Sequence, residues 1–168
     1  MARGSGPVRR DTWRPWILAG AVALLHLGVA AMRGALGASR NDDWTYLRIL
    51  DDFASTGRFA PDPYTRTMLV GQIWLSRPLV ESVGVSISAL QVLVTIIGAV
   101  GLVAAAAVLR RFLTPGWAFF SVGILALGPI YGSISMTYMT DVPAMTAQFI
   151  ALYLGFERWK PALDGSCR

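Results

Sequence analysis

Between Val85 and Leu109 the chain is apolar for 25 residues apart from Ser86, Ser88, Gln91 and Thr95, and the run stops abruptly at Arg110-Arg111. As a helix it would reach about 37 Å, more than the roughly 30 Å hydrocarbon core of a bilayer. A run of that length and polarity reads as a membrane span, and the rest of the chain has to fold around it. Its Gly98, Gly101 and the stretch Ala104 to Ala107 include small residues at four-residue spacing, which lets a second helix approach closely.

Three further apolar stretches fit the same solvent. Residues 16–32 are unbroken except for His26, with Trp13, Trp16 and Arg33 placed for the two interfaces. A cleaved signal peptide ending near Val29-Ala30-Ala31 is the rival, but the run is long for one. After Thr114-Pro115-Gly116 comes a third stretch, 117–131, with a bend expected at Gly128-Pro129, and a fourth follows at 142–156. Composition agrees: 54% of residues are hydrophobic and only 15% charged, outside ordinary soluble usage. The expectation is therefore an all-α integral membrane protein with about four transmembrane helices.

Charge sets the orientation. The net +5 is carried almost wholly by arginine, clustered beside apolar runs rather than along a helix face, which points to membrane orientation and away from nucleic acid. With four spans, the N-terminal segment 1–15, the turn 110–116 and the tail 157–168 fall on one side. By the positive-inside rule that side is the cytoplasm, in a multi-pass protein of the inner (plasma) membrane. The loop 33–84 and the tip 132–141 then face outward. With Cys167 the only cysteine and His26 the only histidine, an internal disulfide and a His/Cys metal cluster are excluded.

Loop 33–84 is too polar to span and too patterned to be a linker. Trp44, Leu47, Leu50 and Phe53 recur at three-residue steps, with Tyr46 and Ile49 beside them and Gly57 closing the pattern, which predicts an amphipathic interfacial helix over 44–56. A second, over 68–83, is interrupted by Gln72, Arg77, Pro78 and Glu81.

Two acidic groups face this outer side: Asp42-Asp43 ahead of the first amphipathic helix, and Asp141 ahead of the fourth span. Carboxylates at an interface can accept a proton from an attacking hydroxyl and orient an acceptor, or hold a divalent cation beside a phosphate leaving group. Each also stands where a helix N-cap is usual. Arg66 and Arg77 are candidates to hold a phosphate or to reach lipid headgroups. No phosphate-cradling glycine loop, dinucleotide fingerprint or nucleophilic serine elbow is present.

The order of these features resembles the C-type-fold membrane glycosyltransferases that use polyprenyl-phosphate sugars, the group of the protein O-mannosyltransferases and lipid A aminoarabinose transferases. Asp42-Asp43-Trp44-Thr45-Tyr46 is similar to their acidic pair and aromatic in the first outer loop, and the helix to Gly57 with Arg58-Phe59 to their juxtamembrane helix. Gly84 to Arg111 looks like their second span, although Gln91 stands where an arginine is common. Met139-Thr140-Asp141-Val142-Pro143 is similar to the acidic motif opening their fourth span. The resemblance implies an inverting sugar transfer from a polyprenyl-phosphate donor to an acceptor hydroxyl. It implies Asp42 as base, Asp43 assisting, Asp141 on the acceptor or metal side, and Tyr46, Arg66 and Arg77 at the substrates. It also implies that the chain is the N-terminal portion of a longer enzyme. The alternative is a small non-catalytic four-span scaffold or accessory subunit; a transporter ranks below both, since no broken-helix repeat is visible.

Overall fold

The computed structural model describes residues 14–40, 42–60 and 70–163, with side chains as far as Arg158. Among these residues every regular element is a helix. Its elements are α1 (Arg14–Met32), α2 (Asp43–Thr56), α3 (Val70–Val83), α4 (Ile87–Leu109), α5 (Pro115–Leu127), α6 (Pro129–Ile134) and α7 (Asp141–Leu163). Two of them, α1 and α4, are both long and apolar enough to cross a bilayer, fewer than the four expected. The third apolar stretch is divided, because Gly128 takes an extended conformation (φ −62°, ψ 141°) just before Pro129, so α5 stops short of spanning length. The fourth, α7, has the length but carries Asp141, Gln148, Glu157 and Arg158.

Helix α4 is the central post, with α1, α5 and α7 packed around it. Its small-residue stripe faces α7: a Cβ on Gly98 would meet Val142 and the Tyr131 hydroxyl, and one on Gly101 would stand 3.2 Å from the Thr146 Cα. The close approach lets Thr146 Oγ1 donate to the Ile97 carbonyl at 3.1 Å. Further along, Arg111 pairs with Glu157 and lies 5.5 Å from the Tyr153 ring. Residue numbers rise together along these contacts, so α4 and α7 run parallel.

Helix α1 runs the opposite way. His26 and Thr95 both hold Ser135, while farther along α1 Ala30 packs with Ala35, whose carbonyl faces Gln91. As numbers rise on α1 they fall on α4. One end of the bundle, termed the arginine end, carries Arg14, Arg110, Arg111 and Arg158, and the other, termed the aspartate end, carries the 33–40 segment with Arg33 and Arg40, the α3–α4 turn and the 135–140 loop.

Helices α2 and α3 pack on one another at the aspartate end, and α3 against α4. The buried stripe of α2 is Tyr46, Ile49, Leu50 and Phe53; Trp44 stays outside. The three-residue pattern seen in the sequence drifts, because each step of three falls about 60° short of a full turn, so Trp44 and Phe53 end on opposite sides of the helix. Helix α2 does stop at Gly57, where φ is +68° and the N–H bonds the Phe53 carbonyl at 2.9 Å. One continuous core joins Leu50, Ile73, Leu90, Val94, Tyr138 and Val142.

Candidate functional site at the aspartate end

The two neighbouring aspartates have opposite surroundings. Asp42 occupies the N-cap position of α2 with φ −88° and ψ 7°, makes no side-chain cap and is exposed. Asp43 turns inward and is 0% exposed. Its Oδ2 accepts from the Arg40 backbone N–H at 3.2 Å, and its Oδ1 has no hydrogen-bond partner among the described residues. Burial pushes the Asp43 carboxyl above the ordinary carboxylate value; the Arg40 and Tyr138 backbone N–H groups and the Arg40 charge pull the other way, and the Asp42 charge adds to the rise.

Tyr138, on the loop between α6 and α7, ties this corner together. Its hydroxyl lies 2.7 Å from Ser76 Oγ of α3, and Ser76 donates its single proton to the Gln72 carbonyl at 2.8 Å. The tyrosine O–H must then be the donor to Ser76. Burial pushes its pKa up to about 12, so it keeps that proton. The Gln72 side chain, one turn away on the same buried face, has neither Nε2 nor Oε1 satisfied among the described residues.

Asp141 begins α7 three residues after Tyr138 and is exposed, where its charge is favourable at a helix N-terminus. The Tyr138 loop thus brings the head of α7 to the end of the bundle that carries the start of α2. An open pocket of about 430 Å³ adjoins this corner, lined by Arg40, Ser133, Ile134 and Thr137. Among the described residues no three His, Cys, Asp or Glu side chains gather to hold a metal ion.

The other expected site residues separate. Tyr46, given a substrate role by the resemblance, is 5% exposed and packs in the core. Arg77 is on α3, its Nε paired with Glu81 Oε1 at 2.6 Å. Arg66 lies outside the described residues.

Gln91 is the residue whose importance the sequence did not disclose. Its Oε1 accepts from the Gly37 N–H at 2.8 Å, and its Nε2 faces the Ala38 and Ala35 carbonyls at 3.2 and 3.5 Å. One buried amide thereby fixes the chain leading to Asp42-Asp43 onto α4. A lone glutamine in a 25-residue apolar run was the only available signal, since its partners lie more than 50 residues away. Below it, Thr95 Oγ1 reaches the Gln91 and Ser135 carbonyls, and Ser135 Oγ lies 3.2 Å from His26 Nδ1. His26, on the apolar α1, thus has a hydrogen-bond partner on a neighbouring element.

Comparison with protein-family models, with curated proteins and with solved structures finds no match for this chain.

Proposed function

We propose that the chain is the acceptor-activating, N-terminal part of a polyprenyl-phosphate-sugar glycosyltransferase, anchored by four spans: α1, α4, α5 with α6, and α7. The observation that carries this reading is that both acidic motifs lie at one end of the bundle, opposite the arginines that flank the apolar helices at Arg14, Arg110, Arg111 and Arg158; the long 33–84 loop at the acidic end carries arginines as well, but long loops translocate with little regard to charge. Under the positive-inside rule the arginine end is cytoplasmic and the aspartate end extracytoplasmic. Two facts favour lipid around the bundle. Only 22% of the apolar stretch of α1 is buried, whereas the core helix of a soluble protein is mostly buried. Large apolar side chains such as Leu24, Phe120, Leu127, Ile130 and Leu154 stand exposed on several helices.

In this reading Asp42, which is exposed, takes the proton from the acceptor hydroxyl as its oxygen attacks the anomeric carbon. The bond from that carbon to the phosphate oxygen breaks on the opposite face, polyprenyl phosphate leaves, and the configuration inverts. Asp141 orients the acceptor from the head of α7. Asp43, sealed from solvent, positions the turn on which Asp42 stands.

The test introduces Asp42→Asn and Asp141→Asn into the native gene and follows sugar transfer from labelled polyprenyl-phosphate donors in isolated membranes. Each variant should insert normally and lose transfer by a factor of about 10² or more. Wild-type rates in both would overturn the proposal.

A further inference from the structure

We propose that the cleft between α2 and α3 binds the headgroup of a zwitterionic aminophospholipid, with Arg77 taking the phosphate and Glu81 the ammonium. Such a site rests on the membrane setting proposed above and on none of the transfer chemistry.

The floor of the cleft is apolar, a cavity of about 70 Å³ lined by Leu50, Phe53, Ala54 and Val80, and the Arg77–Glu81 pair stands at its rim. The guanidinium is held in place. Its Cζ lies 5.7 Å from the Phe53 ring and 5.4 Å from the Trp74 ring, and the two rings meet edge-on at 5.9 Å. Contact with two aromatic rings and the tether through Nε restrain the guanidinium, while its two terminal amino groups remain available as a fork. Among the described residues Arg77 bonds only through Nε, and Glu81 only through Oε1.

Charge decides the ligand class. A simple anion would be repelled by Glu81 as much as it is attracted by Arg77, and a simple cation the reverse. A phosphate bonded to a short arm ending in a protonated amine satisfies both, with the fork bidentate on phosphate oxygens and the free carboxylate oxygen accepting from the ammonium. The amine must carry N–H donors, which selects ethanolamine over choline.

Location decides the source. Helix α3 ends at Val83 and the long apolar α4 starts at Ile87, so the pair lies within about three turns of where the chain enters its most apolar segment. Trp74, Leu75 and Val83 stand exposed on α3, as expected of a helix lying among lipid headgroups. The acyl chains of a lipid held by its headgroup there have an apolar surface to follow.

The experiment is native mass spectrometry of the purified full chain in detergent doped with equal amounts of dioleoyl phosphatidylethanolamine, phosphatidylcholine and phosphatidylglycerol. The wild type should retain the ethanolamine lipid over the choline lipid by about fivefold, the scale of one partly exposed ion pair. Arg77→Gln should lose the ethanolamine lipid. Glu81→Gln should lose the preference for ethanolamine and, with the repelling carboxylate gone, gain the glycerol lipid. No ethanolamine preference in the wild type overturns the proposal without recourse to any variant. So does a Glu81→Gln protein that keeps the preference, or one that retains none of the three lipids. None of these outcomes depends on sugar transfer, so the site and the proposed activity fail separately.

Discussion

The Tyr138–Ser76 contact offers a quantitative test of how the aspartate end is assembled. Tyr138 is 1% exposed and is the donor, because the Ser76 proton is committed to the Gln72 carbonyl. Tyr138→Phe removes the donor and leaves the Ser76 O–H still satisfied, a loss of about 1 kcal/mol, the net value of one intramolecular hydrogen bond. Ser76→Ala is worse, since it strands a buried phenolic O–H; the loss should be about 2 kcal/mol, within the roughly 1–3 kcal/mol cost of an unsatisfied buried group. In the double variant no stranded donor remains, so its loss should be about 1 kcal/mol and not the sum of roughly 3, a coupling of about 2 kcal/mol. The assay is reversible unfolding in mixed detergent micelles, followed by circular dichroism, on all four corners of the cycle. Because the hydroxyl pKa is near 12, the coupling should be unchanged across any practical pH. Additive single variants would refute the reasoning and mean that the two hydroxyls do not meet in the folded protein.

Two other outcomes are expected at the same corner. Gln91→Leu removes the partners of the Gly37 N–H and the Ala38 carbonyl, so it should destabilise by about 2–4 kcal/mol and raise hydrogen exchange at the Gly37 amide; unchanged exchange there would show that the clamp does not hold the loop. Asp43 has a raised carboxyl pKa in the folded chain, so its contribution to stability is fully present below the ordinary value of 3.8 and is lost as pH rises through the folded value. Asp43→Asn should accordingly stabilise the protein at neutral pH and flatten the acid limb of its stability profile, measured by the same unfolding assay; a variant less stable than wild type at neutral pH would count against burial as the dominant influence.

What the sequence determined by itself is what local composition can encode. The apolar runs, the Gly57 stop and the bend at Gly128-Pro129 depend on residues adjacent along the chain, and α2, α4 and the α5–α6 break lie where those signals stand. The small-residue stripe was legible because Gly98 and Gly101 advertise a close approach whatever helix comes to fill it, and α7 fills it. Only the tertiary structure decided which faces turn inward. Asp42 and Asp43 are adjacent, yet one is solvated and the other sealed, because Tyr138 and Arg40 close over the second. Tyr46, set by spacing beside the apolar stripe of α2 and by resemblance at the substrates, lies in the core. Gln91 reads as an imperfection in a span until a loop more than 50 residues earlier brings it three backbone groups. These assignments rest on contacts between distant segments, and a backbone amide or hydroxyl leaves no trace of its future partner in the pattern of side chains around it.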